Sequence, residues 1–149
     1  MTDFDPMSVP EASAWNQSIE PPPGLEGFIV AEVSLAKALA VAGLIWPKFI
    51  RVDDCVILST RYSDENFQRW SNELEHDGSA VERMLNHVHL WDFFDAESDT
   101  EEHGLEFLAE VVAAGWKMKA EAEFTDRDFM AEITDEYGPT IVLHSRPKV

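Results

Sequence analysis

Two pairs of short, apolar, β-prone segments constrain the fold more than any other feature of this sequence. The first pair lies within residues 48–60, where two consecutive aspartates suit the turn between the arms. The second pair, residues 129–134 and 140–145, is separated by a segment that contains Gly-Pro. Each pattern predicts a β-hairpin. Residues 55–58 are apolar on both faces, which indicates a strand that is covered on both sides of its sheet.

Three helices are predicted between the hairpins and one before them. Ser63 and Ser79 suit the N-terminal ends of the first two, and the third begins near Thr100. Residues 116–124 alternate in the way of a strand, but their composition and their apolar spacing of four favour one helix that continues to residue 124. The helix before the first hairpin is predicted over residues 35–45.

The N-terminal residues differ in composition from the rest of the chain. Residues 1–26 contain five acids, no bases and a run of three prolines, so we predict a Pro-rich acidic tail. Residues 28–33 are apolar and β-prone, which predicts a strand. Residues 27–149 are predicted to form a single α+β domain. Its antiparallel or mixed sheet has about five strands, including both hairpins, and about three or four helices pack on one face.

Acidic residues outnumber basic residues by 29 to 11, which gives a formal net charge of −18 at pH 7. Residues 64–106 hold thirteen of the acids and two of the bases. This charge opposes binding to DNA, RNA or an anionic membrane, so we expect neither a nucleic acid nor a membrane as partner. The acidic stretch is either a solvated face or a surface for a basic protein partner. The candidate partner-binding residues are Asp92, Asp95, Glu97, Asp99, Glu101 and Glu102.

Three further features bear on the compartment. The single cysteine, Cys55, cannot form an internal disulfide. No apolar stretch reaches the roughly 18 residues that a membrane span needs. The first residues are acidic, whereas a signal peptide begins with basic residues. We therefore expect a cytoplasmic protein.

His87 and His89 are the first candidates for a metal site. Two histidines at this spacing share a face on a strand and can reach one ion, whereas on a helix they diverge. The helix that starts near Ser79 is expected to continue through both histidines. That expectation argues against a shared metal.

Two other patterns resemble metal-binding motifs only in part. From Asp95 to Glu106 the carboxylates have the spacing of a calcium-binding loop, but Thr100 stands where that loop requires glycine for its sharp turn. Glu73 and His76 have the E-x-x-H spacing of a di-iron site, which needs two such motifs and has one here. The sequence also contains no G-x-S-x-G motif and no glycine-rich phosphate loop after a strand. We therefore predict no metal, no cofactor and no catalytic residue.

The observations favour a small, acidic, non-catalytic interaction protein over an enzyme. Small and strongly acidic single-domain proteins include bacterial toxin-neutralising (immunity) proteins, a comparison that rests on charge and size alone. One alternative is a domain that binds a small ligand in a pocket lined by aromatic residues. A less favoured alternative is a metal-dependent enzyme that uses His87, His89 and nearby acids.

Overall fold

The computed structural model describes residues 2–149, and it confirms the α+β class. These residues form six α-helices and five β-strands. The helices are α1 (Pro10–Gln17), α2 (Gly24–Glu32), α3 (Leu35–Ile45), α4 (Asp64–Glu73), α5 (Gly78–Leu85) and α6 (Asp99–Glu123). The strands are β1 (Phe49–Val52), β2 (Cys55–Leu58), β3 (His87–His89), β4 (Arg127–Thr134) and β5 (Thr140–Pro147).

Both predicted hairpins are present, and they lie in two separate antiparallel sheets. Strands β1 and β2 pair with each other alone, with Phe49 opposite Leu58. Strand β5 is the centre of a three-stranded sheet and pairs with β4 on one side and β3 on the other. Strand β3 is short and covers only the first residues of β5, with His87 opposite Val142. The rest of that edge of β5 is therefore free of a strand partner.

Helix α5 occupies this free edge and joins the two sheets through Glu82. The side chain is fully buried. One carboxylate oxygen accepts the Val56 N–H of β2 at 2.9 Å, and the other accepts the Ser145 N–H of β5 at 2.9 Å. One buried side chain thus takes the place of a backbone acceptor for both sheets.

Asn86 repeats this bridge one helical turn further on. Its side-chain oxygen accepts the Leu58 N–H at 2.8 Å, and its amide nitrogen donates to the Val56 carbonyl at 2.7 Å and to the Leu143 carbonyl at 3.3 Å. The Asn86 carbonyl in turn accepts the Leu143 N–H at 3.0 Å. Asn86 directly follows α5 and lies four residues after Glu82, so both side chains reach the seam between the sheets.

The main core lies between α6 and the sheets, and β2 separates it from a smaller second core. Alternate residues of β2 face opposite sides: Val56 and Leu58 belong to the main core, whereas Cys55 and Ile57 belong to the second core, under α4 and α5. The prediction that residues 55–58 are covered on both faces is therefore confirmed. All four residues are buried.

Helix α6 is continuous through residues 116–123, so the helical interpretation of that segment is confirmed. Trp116 is buried there, and its indole N–H donates to the Leu44 carbonyl of α3 at 2.8 Å. Gly115 allows this close approach, because a Cβ at that position would lie 2.3 Å from the Ile45 carbonyl oxygen. The tie between α3 and α6 thus depends on one glycine and one tryptophan.

The prediction of a strand over residues 28–33 is wrong, because this segment forms most of α2. No strand among residues 2–149 lies beside it, and a helix can satisfy its own backbone hydrogen bonds where a lone strand cannot.

Helices α2 and α3 bury none of their residues. Val30 is 85% exposed and Leu35 is 75% exposed. Of the helices in residues 2–149, none alone is long and apolar enough to cross a membrane; α2 and α3 meet that test only as a pair, bent by 112°.

The N-terminal segment packs against the rest of the chain. The Phe4 ring stacks on Phe107 of α6, with 5.6 Å between the ring centroids. Gly104 lies beneath this contact, where a Cβ would lie 3.3 Å from the Phe4 ring. In α1, Trp15 meets Phe28 of α2 edge to face at 5.3 Å. The proline-rich residues between α1 and α2 form no helix, as predicted.

Candidate functional site

The predicted partner-binding residues lie on the loop before α6 and on the first turn of that helix. Five of the six are exposed, and Glu101 is half-buried. Ser98 caps α6 by accepting the Glu101 N–H at 3.1 Å, and its hydroxyl donates to the Glu101 carboxylate at 3.0 Å. Glu101 therefore stabilises the start of the helix. The five exposed members are Asp92, Asp95, Glu97, Asp99 and Glu102.

A cleft of about 550 Å³ opens beside this loop, and we call it the acidic cleft. It lies between α6, the end of β4, the turn between β4 and β5, and Trp91. Its carboxylates are Glu102, Glu106, Glu110 and Asp135, and its apolar wall is formed by Trp91, Leu105, Ile133 and Pro139. No Lys, Arg or His is among the described residues that line it.

The regular spacing of α6 explains why three carboxylates meet in the acidic cleft. Glu102, Glu106 and Glu110 are four residues apart and therefore project from one face of the helix. Like charges at this spacing repel by a few tenths of a kcal/mol per pair. The fourth carboxylate, Asp135, arrives from the turn after β4. The spacing of four residues in the sequence indicates that the first three carboxylates lie together. The position of Asp135 beside them depends on the tertiary fold and is not visible in the sequence.

Trp91 is held at the mouth of the acidic cleft by the turn between β4 and β5. Its ring meets Tyr137 edge to face at 5.4 Å. Gly138 lies directly against the indole, because a Cβ there would be 2.4 Å from the ring. The same glycine has a φ of 64°, a conformation that other residues adopt at a cost. Both constraints require glycine at position 138.

Two polar residues that line the acidic cleft differ in their hydrogen bonding. The Glu110 carboxylate accepts hydrogen bonds from the Thr2 hydroxyl at 2.7 Å and the Thr2 N–H at 2.6 Å. These bonds lower the pKa of Glu110 below its ordinary value. The Thr134 hydroxyl oxygen is buried and has no hydrogen-bond partner within residues 2–149.

The acidic residues predicted to bind a partner thus contribute to one wall of the acidic cleft and not to the others. Among the predicted residues, only Glu102 lines it. Trp91 stands next to the predicted stretch, and it is 47% exposed. Glu106 and Glu110 follow Glu102 at the helical spacing.

The expectation that a helix continues through the histidines is wrong. Helix α5 ends at Leu85, and the histidines lie on β3, with their ring centroids 5.1 Å apart. The helix ends there because the Asn86 side chain and carbonyl bond to the sheets. His87 Nδ1 bonds to the Met84 carbonyl at 2.6 Å, and His89 Nδ1 bonds to the Thr140 hydroxyl at 2.7 Å.

No group of three metal-ligating side chains converges anywhere in the described range 2–149. The calcium-like pattern is interrupted because α6 begins at Asp99, in the middle of the would-be loop. Glu73 ends α4, and His76 lies beyond that helix and bonds to the Ser71 hydroxyl. The Cys55 thiol is buried, which raises its pKa to about 11 and keeps it protonated at neutral pH.

Comparison with known proteins adds no relative. No known protein family, curated protein or solved structure matches this chain.

Proposed function

We propose that this protein is a non-catalytic interaction protein that binds a basic protein partner. In this proposal, a lysine or arginine of the partner enters the acidic cleft. The observation that carries it is the lining, in which four carboxylates face an apolar wall that includes Trp91. The cleft volume of about 550 Å³ also lies in the range of sites that enclose a side chain or small molecule.

The acidic cleft suits the two chemical parts of a long basic side chain. The methylene groups of lysine or arginine pack on apolar surface while the charged head stays among polar groups. Leu105, Ile133 and Pro139 offer the apolar surface, and Glu106 and Asp135 offer acceptors for the head. Trp91 adds an aromatic face for a cation. A neutral polar side chain forms weaker interactions with these carboxylates and with the Trp91 ring.

The exposed loop next to the cleft supports the same proposal. Its carboxylates extend the negative field beyond the cleft, and such a field speeds the encounter with a positively charged partner and helps to select it. Because exposed charges are screened by salt, this contribution weakens as ionic strength rises.

The test compares two variants of equal net charge as bait for host-cell proteins. E106Q/D135N removes two carboxylates from the acidic cleft, and E65Q/E73Q removes two exposed carboxylates from α4. At low ionic strength we expect the wild type and E65Q/E73Q to retain the same basic protein, and E106Q/D135N to bind it at least about tenfold more weakly. Equal binding by both variants, or binding that persists undiminished in about 500 mM NaCl, contradicts the proposal.

Neutralisation of a toxin is a narrower form of this proposal, and only acidity and size support it. It requires that the retained partner be an enzyme whose activity falls when it is bound. The measurement is the partner's activity with wild-type protein and with E106Q/D135N. An active complex supports partner binding and eliminates neutralisation.

A further inference from the structure

Arg127 is more deeply buried than any other lysine or arginine among residues 2–149. It begins β4 and is only 6% exposed. Its Nε donates to the Ser145 hydroxyl at 2.7 Å, and that hydroxyl donates in turn to the Glu82 carboxylate. Burying a guanidinium is costly unless its charge and its donors are satisfied.

The remaining donors of Arg127 have no protein partner. Neither Nη atom donates to an acceptor among residues 2–149, and the ion pairs of that range do not include Arg127. By contrast, Arg51 makes a two-pronged pair with Asp126, and Arg83 makes one with Glu132. A nearly buried arginine with two open donor groups is therefore an exception within this chain.

Arg127 lines a second cleft, of about 430 Å³, which we call the Arg127 cleft. This cleft also includes Gly78 and Ser79, the first residues of α5, and Arg146 of β5. The N-terminus of a helix carries partial positive charge and free N–H groups, which favour an anion. Two arginines and a helix N-terminus thus meet in one cleft.

Three aspartates share the Arg127 cleft with these positive groups. Asp77 caps α5 by accepting the Ala80 N–H, while Asp53 and Asp54 form the turn between β1 and β2. None of the three pairs with a basic side chain among residues 2–149. Their charge repels a polyanion, but it can accept an ammonium group. The lining of the cleft therefore includes charges of both signs.

We infer that the Arg127 cleft binds a small zwitterionic carboxylate of the α-amino acid class. The carboxylate pairs with the open Nη donors of Arg127, a geometry that a planar guanidinium favours. The ammonium group lies toward the aspartates of the β1–β2 turn. The lining of the cleft also includes two apolar residues, Phe67 and Val81, which are almost fully buried. This site is independent of the acidic cleft and of the proposed protein partner.

The test follows the side-chain Nε–H signal of Arg127 and the backbone N–H signals of Gly78 and Ser79 in the 15N-labelled full chain. Each of the twenty common amino acids is added to about 10 mM, about ten times a millimolar dissociation constant. We expect at least one to shift these three signals in a saturable way. No saturable shift with any of the twenty, or shifts only elsewhere, overturns the inference.

Two analogues of each amino acid that binds then test the zwitterionic character. One lacks the amino group and the other lacks the carboxyl group. We expect the first to bind more weakly than the amino acid and the second not to shift the Arg127 signal. An amine that binds as well as the amino acid overturns the carboxylate assignment, and a carboxylate that binds as well overturns the role of the aspartates.

A pair of surface variants provides the matched control. R146Q and K148Q each remove one exposed positive charge from the C-terminal residues, but only Arg146 lines the Arg127 cleft. We expect R146Q to weaken binding severalfold and K148Q to leave it unchanged. R127K keeps the charge and loses the two-pronged donor set, so binding should fall about tenfold. If R127K does not fold, the titration of the wild type and the comparison of R146Q with K148Q still test whether the Arg127 cleft binds the ligand.

Discussion

At the scale of single residues, the buried carboxyl of Glu82 connects the two sheets. It accepts hydrogen bonds from two strands that belong to different sheets and from the Ser145 hydroxyl. Burial raises the pKa of Glu82 above its ordinary value, and the hydrogen bonds from Val56 and Ser145 oppose that rise. Because the raised pKa favours the protonated form, the folded state holds this proton to higher pH than the unfolded chain does.

The substitution Glu82→Gln should reduce the free energy of unfolding by about 1–3 kcal/mol. A glutamine side chain presents an NH₂ group where one of the two backbone N–H donors needs an acceptor. The wild type gains stability from the raised pKa of Glu82 at pH values below the pKa that this group has in the unfolded chain, about 4.5. This gain disappears as pH rises through the higher pKa of the folded state. The loss of stability caused by the substitution should therefore shrink as pH rises above about 4.5. Urea unfolding of both proteins at several pH values measures this difference. A loss that grows with pH contradicts the prediction.

At the scale of elements, sequence patterns predicted most of the fold because they reflect local chemistry. Ser63 accepts an N–H at the start of α4, as predicted, whereas α5 begins at Gly78 and is capped by Asp77 rather than by Ser79. The end of α5 could not be predicted from the sequence, because the helix ends where Asn86 forms hydrogen bonds with two sheets. Segment 28–33 was misassigned for a similar reason: its β-prone residues suit a strand, but the fold offers it no strand edge.

The substitution Gly115→Ala should destabilise the protein, although alanine favours an isolated helix by about 1 kcal/mol over glycine. The new Cβ would lie 2.3 Å from the Ile45 carbonyl oxygen, so α3 and α6 must move apart. That movement weakens the Trp116–Leu44 hydrogen bond. We expect a net loss of about 1–3 kcal/mol in chemical unfolding. Gly43→Ala is the control, because its Cβ meets nothing within 4 Å and should stabilise α3.

At the scale of the whole molecule, the net charge of −18 acts against the folded state. Carboxylates in a compact protein are closer together than in the unfolded chain, and so they repel more strongly. Three of those in the acidic cleft line one face of α6, and this arrangement follows from residue spacing. The position of the cleft's fourth carboxylate and of Trp91 could not be predicted, since both depend on the docking of the β4–β5 turn.

Salt should therefore raise the thermal unfolding temperature of this protein. Raising NaCl from about 10 mM to about 300 mM shortens the screening length from about 30 Å to under 8 Å, which weakens repulsion among exposed carboxylates. We expect an increase in Tm of several degrees, measured by circular dichroism at neutral pH. The E106Q/D135N variant should start from a higher Tm and gain less. A Tm that falls with added NaCl is incompatible with charge repulsion as the dominant effect.

The bridge that α5 builds between the sheets also has a consequence for self-association. A strand with unpaired N–H and C=O groups is a template for strands of other molecules, and it promotes aggregation. Strand β5 extends beyond β3, and β2 has only β1 as a strand partner, so both strands would expose such groups. Glu82 and Asn86 occupy these groups from the side. One side chain of α5 and the side chain of the residue directly after it thereby close both edges to intermolecular β-pairing.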